Sequence, residues 1–198
     1  MLSGRRLDLL DPSPLDVEIS DIAHGLARVA RWNGQTRGEH AFSVAQHSLL
    51  VEAITAHMGA NSPADRLYAL LHDAPEYVIG DMISPFKAVM GGAYKDVELR
   101  LEAAIHLRFG LAAHPTPSLK KLIKQADRTV AYLEAINLAG FSRSEAERFF
   151  DRPTFDLSAL ESADPTGALD LNPLSTGAAE VAFLNRFSQI EAHIGVQV

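Results

Sequence analysis

Apolar residues along this chain recur three and four positions apart rather than two, which is the spacing of a helix face. The pattern predicts a first helix from Asp21 to Arg31, capped by Ser20 or Asp21. Asn33-Gly34-Gln35 reads as a turn. A second helix is predicted over Ser43–Met58. A third starts at Pro63, a residue suited to the first helical position, and reaches Asp73. A short helix follows at Pro75–Ile79, and Ser84-Pro85 opens another short segment. Further helices are predicted over Ala93–Phe109, Ser118–Ala139, Ser142–Phe150 and Ala179–His193. No alternating run reads as a central strand, so the expected class is all-α.

With 198 residues the chain is long enough for one domain with a real core. Residues 1–19 carry the turn signals of Asp11-Pro12-Ser13-Pro14 and read as an irregular arm. Residues 20–150 form the expected single-domain helical bundle. Residues 151–178 hold three prolines, two glycines and no lysine, the composition of an extended surface excursion. Residues 179–198 are expected to form a C-terminal helix packed on the core.

Composition narrows the function. Apolar residues make up 47%, which excludes disorder as a description of the whole. A net charge of −7 argues against binding nucleic acid polymers or anionic membranes nonspecifically. It leaves room for a small anionic substrate held by a few local cations. There is no cysteine, so any metal must be held by nitrogen and oxygen. The N-terminal segment lacks a signal-peptide apolar core, and no apolar run approaches the roughly 20 residues of a membrane span. The expected location is the cytoplasm.

The candidate chemistry starts at His72-Asp73, which closes an apolar helix. The dipeptide acquires meaning from His47 upstream and Asp127 downstream. Helical spacing puts each on an apolar stripe: Val44, Leu50 and Val51 flank His47, Ala69 and Leu70 precede Asp73, and Ile123, Val130 and Ala131 flank Asp127. A carboxylate facing a core is costly unless it is paired or binds a cation. Two histidines and two aspartates from three helices can satisfy one another around one metal. Taken singly, each has a plainer reading. His47 alone could be a hydrogen-bonded core histidine, and Asp127 alone a partner of Arg31, Arg28 or a lysine.

Together these residues resemble the HD superfamily of metal-dependent phosphohydrolases, whose signature is a His, a His-Asp and a distant Asp on separate helices. The resemblance is closest to the bacterial 5′-deoxynucleotidase branch and covers about residues 20–140. It is carried by Arg31-Trp32 with Val44-Ala45-Gln46-His47-Ser48, by His72-Asp73-Ala74-Pro75-Glu76 through Gly80-Asp81 to Pro85-Phe86-Lys87, and by Ala126-Asp127-Arg128 through Glu134. Glutamate-aspartate, Gly-His and Gly-Tyr-Pro, which mark other branches after His-Asp, are absent here. The resemblance implies an HD-type bundle with its metal site between helices. It implies His47, His72, Asp73 and Asp127 as metal ligands, with Glu76 beside Asp73 as the catalytic acid/base. Arg31 would contact the substrate phosphate, Trp32 would line the sugar pocket, and Asp81 would sit near the sugar or the metal-bound water. Glu39-His40 also looks like a ligand pair, but the Ser-Leu-x-Val run puts His47 on the ligand turn and leaves His40 for the phosphate pocket or a loop. A homodimer is implied by the resemblance alone.

Two imidazoles and two carboxylates suit one divalent transition metal: Mn, Co, Zn, Fe or Ni. Such an ion polarises a phosphoryl oxygen and activates water. A sugar alkoxide leaves poorly, so a proton donor such as Glu76 matters. Arg31 can grip a phosphate through two parallel hydrogen bonds. Lys87 and Arg37 are further candidates for charge neutralisation. His24, His57 and His193 read as ordinary helix residues. His106 and His114 lack a motif for a second metal. The expected activity is phosphate release from nucleoside, above all deoxynucleoside, 5′-monophosphates. The rivals are hydrolysis of another phosphate ester or diester, a noncatalytic nucleotide sensor, and a helical interaction module.

Overall fold

The computed structural model describes residues 1–150, 152–153 and 170–194. Their regular structure is helical: α1 Ile19–Leu26, α2 Val44–His57, α3 Pro63–Leu70, α4 Glu76–Ile79, α5 Ser84–Met90, α6 Gly92–Arg108, α7 Pro117–Asn137, α8 Arg143–Phe149 and α9 Thr176–Ile194. Among the described residues there is no strand, only one isolated antiparallel bridge between Ala30 and Ser43. No helix among them is long and apolar enough to cross a membrane.

α2 is the centre of the bundle. Its sequence is apolar nearly all the way round, the mark of a helix enclosed by others. Residues from Val44 to Glu52, with Ile54 and Thr55, are buried, and α3, α7, α9 and α1 pack around them. Ser43 starts the helix, its hydroxyl accepting from Gln46 N. α7 is amphipathic instead. Thr116 caps it, Pro117 opens it, and Leu119, Ile123, Ala126 and Val130 form its buried stripe against α2. A capping box at Ser142 and Glu145 opens α8, which packs on α7.

Two of the departures from the periodic reading shape the site. The first helix stops at Leu26 rather than at Arg31. The chain leaves it so that residues 29–31 can pair with 42–44: Arg31 N donates to Phe42 O at 2.8 Å and Val44 N to Val29 O at 3.0 Å. Its N-cap is Glu18, without a side-chain cap. Asp21, expected as a possible cap, is buried and accepts from the backbone and hydroxyl of Ser3. The third helix ends at Leu70, three residues short of Asp73. His72 and Asp73 therefore lie in a tight turn, continued by Glu76 N donating to Asp73 O at 3.0 Å.

The N-terminal arm is irregular apart from a 3-10 turn at Pro14–Asp16. It is strapped down by Arg100 to Leu10 O at 2.7 Å and Arg108 to Val17 O at 2.9 Å. Most of the expected excursion at 151–178 lies outside the described residues. Its end, from 170 on, returns to the core, where Gln46 donates to Asn172 O at 2.9 Å and accepts from Leu174 N at 2.8 Å.

α1 presses directly on α4, the helix that carries Glu76. A Cβ at Gly25 would meet Tyr77 Cβ at 2.8 Å and Tyr77 O at 2.9 Å. Alanine would gain about 1 kcal/mol of helix propensity. Overpacking against backbone that cannot yield costs about 1–3 kcal/mol, so the clash wins. Gly25→Ala should lower the melting temperature and shift α4. A variant as stable as the parent would show that the two helices part without strain.

Candidate metal centre and its cavity

Asp127 and Glu134 stand seven residues apart on α7, two turns, and so share a face. The imidazole of His47, on α2, lies between them. Its Nε2 is 3.2 Å from Asp127 Oδ1 and its Nδ1 is 2.6 Å from Glu134 Oε1. A carboxylate only accepts, so Nδ1 carries the proton of that short bond. His72 is set in the same way, its Nδ1 donating to Ala69 O at 2.9 Å. In its neutral form each ring therefore offers the Nε2 lone pair. Asp73 Oδ2 approaches both rings, 3.2 Å from His72 Nε2 and 3.5 Å from His47 Nε2.

These groups fit a cation. One ligand atom each from His47, His72 and Asp73 lie within 4.8 Å of one another. Both Nε2 atoms are buried and neither makes a hydrogen bond. Two imidazole nitrogens without hydrogen bonds, facing two carboxylates, make a nitrogen-oxygen donor set suited to a divalent transition ion. The electrostatics agree. Burial opposes ionisation of Asp73, but His72 and His47 hold it well below the usual carboxylate range. Burial also opposes Asp127, and His47 pulls it down. Burial and the Arg31 charge disfavour protonation of His47, yet Glu134 and Asp127 outweigh them and push it up to about 10. A metal would take the place of that proton.

Behind His47 lies a second network. Glu134 has no exposed side-chain surface. Its Oε2 accepts from Arg31 Nε at 3.3 Å, Arg31 Nη2 at 3.2 Å and Trp32 Nε1 at 2.7 Å. The other arm of Arg31 donates to Asp81 Oδ2 at 3.2 Å. Trp32 and Asn33 sit in left-handed backbone, with φ of 57° and 51°. The Trp32 ring rests against Phe141 and Phe150, each centroid 5.7 Å away.

Glu76, at the start of α4, is buried. Its Oε1 accepts from Lys87 Nζ at 3.3 Å, and its Oε2 has no partner. Lys87 also donates to Glu98 Oε1 at 3.1 Å. Burial, with the nearby charges of Asp73 and Asp81, pushes the Glu76 carboxyl up to about 9 despite Lys87.

A cavity of about 310 Å³ opens beside the cluster. Its lining includes His72, Asp73, Glu76 and Asp127 together with Tyr68, Glu98, Glu102, His106 and Ile123. Arg31, Trp32, Asp81, His40 and Lys87 are not among its lining residues. The structure therefore joins His47, His72, Asp73 and Asp127, and sets Glu76 beside them. It gathers Arg31, Trp32 and Asp81 around Glu134. His40 is exposed and takes no part in these bonds among the described residues. His106 donates from Nδ1 to Ala113 O at 2.9 Å and stacks edge-on with Tyr68, away from the ligand group.

A family model described as 5′-deoxynucleotidase YfbR-like matches residues 22–153. The chain belongs to the YfbR-like family. An uncharacterized protein of Rhodobacter capsulatus is 60% identical over 154 residues, which are 77% of this chain and 79% of that one. The YfbR-like match includes His47, the His72-Asp73 turn, Glu76, Asp127 and Glu134, so every group of the cluster and its support belongs to the shared region.

Sequence reasoning gave no role to Glu134, Glu98, Glu102 or the Ala69 carbonyl. For Glu134 a signal existed: it is the next acidic residue on the Asp127 face, two turns on. The Ala69 carbonyl has no signature in a side-chain pattern.

Glu134→Gln removes the charge that faces Arg31 and weakens the bond that orients His47. Metal affinity should fall about 10–100-fold. Leaving a buried Arg31 underpaired should cost about 3 kcal/mol or more. Metal titration and a thermal melt read the two effects separately, and parental affinity would deny Glu134 an orienting role.

Glu76 gives a pH signature in metal-stripped protein. Its folded-state value, about 9, lies above the ordinary value of 4.5. Folding then favours the protonated form, and that contribution to stability is lost as pH rises from about 4.5 to about 9. Glu76→Gln should therefore melt progressively higher than the parent across that window. Parallel melting curves at all pH values would mean that Glu76 ionises freely.

Proposed function

We propose that this YfbR-like chain is a cytoplasmic, metal-dependent phosphomonoesterase that releases phosphate from nucleoside 5′-monophosphates, with deoxynucleosides preferred. The observation that carries the reading is the pair of Nε2 atoms without hydrogen bonds facing two carboxylates, with His72, Asp73 and Asp127 lining an open cavity, in a chain of this family. His47, His72, Asp73 and Asp127 would hold one divalent ion; Mn, Co, Zn, Fe and Ni all suit the donors. When bound, the metal supplies Lewis-acid polarisation of the phosphoryl group.

The chain's own residues do the rest. In the metal-free protein burial favours the protonated form of Glu76, and its Oε2, free of partners, would be the oxygen that gives the proton away. Water attacks phosphorus, the bond to the sugar 5′ oxygen breaks, and that oxygen takes the Glu76 proton. Solvent later reprotonates the carboxylate. Lys87 holds Glu76 by its other oxygen and offsets the carboxylate charge left behind. Arg31 uses three of its N–H groups on Glu134 and Asp81, which leaves two of five for a substrate phosphate. Asp81 and Trp32 would then meet the sugar, with His40 near the phosphate.

Stripped protein reloaded separately with Mn, Co and Zn should release phosphate from a panel of nucleoside 5′-monophosphates, faster from deoxy than from ribo forms. His72→Ala and Asp73→Ala should lose both metal and turnover. Glu76→Gln should keep the metal and lose about 10²–10⁴-fold in kcat. Release from unrelated phosphate esters but no nucleotide would replace the substrate. Full turnover in His72→Ala would remove the metal site from the reaction.

A further inference from the structure

Lys87 stands on α5, which the chain enters and leaves through glycines. Gly80 and Gly91 flank residues 81–90 at φ of 77° and 73°, in the left-handed region open to glycine. Along this stretch Ile83, Phe86, Val89 and Met90 are exposed, so little apolar burial fixes its place. α5 packs on α6, and α6 is the anchored partner. Its Leu101, Ala104, Ile105 and His106 are buried, and its Arg100 and Arg108 bond to carbonyls of the N-terminal arm.

The ammonium of Lys87 reaches from α5 to carboxylates on two other helices. It donates to Glu76 Oε1 on α4 at 3.3 Å and to Glu98 Oε1 on α6 at 3.1 Å. Tyr94, one turn before Glu98 and on the same face of α6, sets its ring centroid 6.0 Å from Lys87 Nζ. Burial disfavours the ammonium, yet Glu76 and Glu98 hold it charged. A lysine head is a compact charge on a flexible stem, so its partners decide where it rests. It carries three N–H donors. Without Glu98 they are free to turn to Glu76, whose Oε2 is buried and has no partner. A grip on both oxygens would occupy the one that the proposed reaction uses. With Glu98 in place, Lys87 is drawn toward α6 and meets Oε1 alone.

We infer that Glu98 is a positioning residue: it holds Lys87 against Oε1 of Glu76 and so keeps Oε2 open for proton transfer. This role rests on the phosphomonoesterase reading above, in which Glu76 gives up its proton. The Lys87 and Glu98 side chains are 31% and 30% exposed, so their ion pair adds little to stability. Its effect is on where the lysine sits.

The test uses the metal-loaded protein with dAMP and compares E98Q, E98D, K87M and the double variant E98Q/K87M. Glutamine keeps the shape of the wall and removes the charge that Lys87 answers. E98Q should lower kcat about 10-fold and leave KM, metal affinity and melting temperature at parental values. E98D, which restores the charge, should recover part of that loss. K87M should also lower kcat, and adding E98Q to it should cost nothing further, because both act through one contact. Parental kcat in E98Q would overturn the role. Losses that multiply in the double variant would overturn it too, since Glu98 would then act without Lys87. A rise in KM that accounts for the whole loss would make Glu98 a substrate contact instead, and a lower melting temperature in both E98Q and E98D would make it structural. In each of these cases the parent still releases phosphate and the phosphomonoesterase reading stands. No release from any nucleoside 5′-monophosphate by the parent would take down that reading, and the role of Glu98 with it.

Discussion

The site depends on one buried carboxylate. Glu134 is fully enclosed, and an ionised group without water is untenable unless its lone pairs are met. Four N–H groups meet them: one from His47, two from Arg31 and one from Trp32. These donors come from α2 and from the turn after α1, so one acceptor on α7 ties three parts of the chain to a single register. The left-handed backbone at Trp32 and Asn33 costs about 1–2 kcal/mol per residue, and charged hydrogen bonds of this kind contribute about 1.5–3 kcal/mol each. The strain is thus offset. The same bond decides which nitrogen of His47 faces the cluster. Without Glu134 the imidazole could present either nitrogen, and the metal geometry would be lost before any ligand was removed.

Helix existence was legible because it follows from periodicity, which is local. α2 and α7 stand where the apolar spacing predicts them, within two residues at each end. His47, His72, Asp73 and Asp127 were legible as a set because four polar groups on apolar stripes need a common partner. What the pattern could not show was set by tertiary pairing. α1 is cut short because residues 29–31 bond to 42–44, and no feature of 27–31 itself forbids helix. α3 is cut short so that adjacent residues, His72 and Asp73, can reach the same point. Glu134 looked like one more acid on an amphipathic helix, because its importance lies in Arg31 and Trp32, about a hundred residues away in sequence. The cavity wall was invisible for the same reason: Tyr68, Glu102 and Ile123 come from three helices and share no motif.

The cluster and Glu76 together illustrate how function is bought with stability. A half-satisfied buried carboxyl is a loss to the folded state, and two aspartates crowd the same histidine pair. Nothing in packing asks for them. They persist on a scaffold whose central helix is enclosed on all sides, where α2 can bear the loss. A divalent ion would engage the nitrogens and relieve the aspartates at once, coupling ligand binding to stability. Glu76 would stay unrelieved, and on the proposed reading its free oxygen would be the proton donor.

Arg31 shows why placement must come before role. A guanidinium near a candidate metal cluster invites the reading of a simple anion clamp. Here it is 13% exposed and already compensates two carboxylates. Its removal would strand Glu134, at a cost of about 3–5 kcal/mol, and release His47 from its orientation. Loss of activity in such a variant would follow whether or not Arg31 ever touches substrate. Only an effect on KM that exceeds the effect on metal affinity would speak for a phosphate contact. The ion-pair network therefore comes first in the causal order: it holds the histidine, the histidine would help to hold an ion, and any grip on phosphate would use what remains.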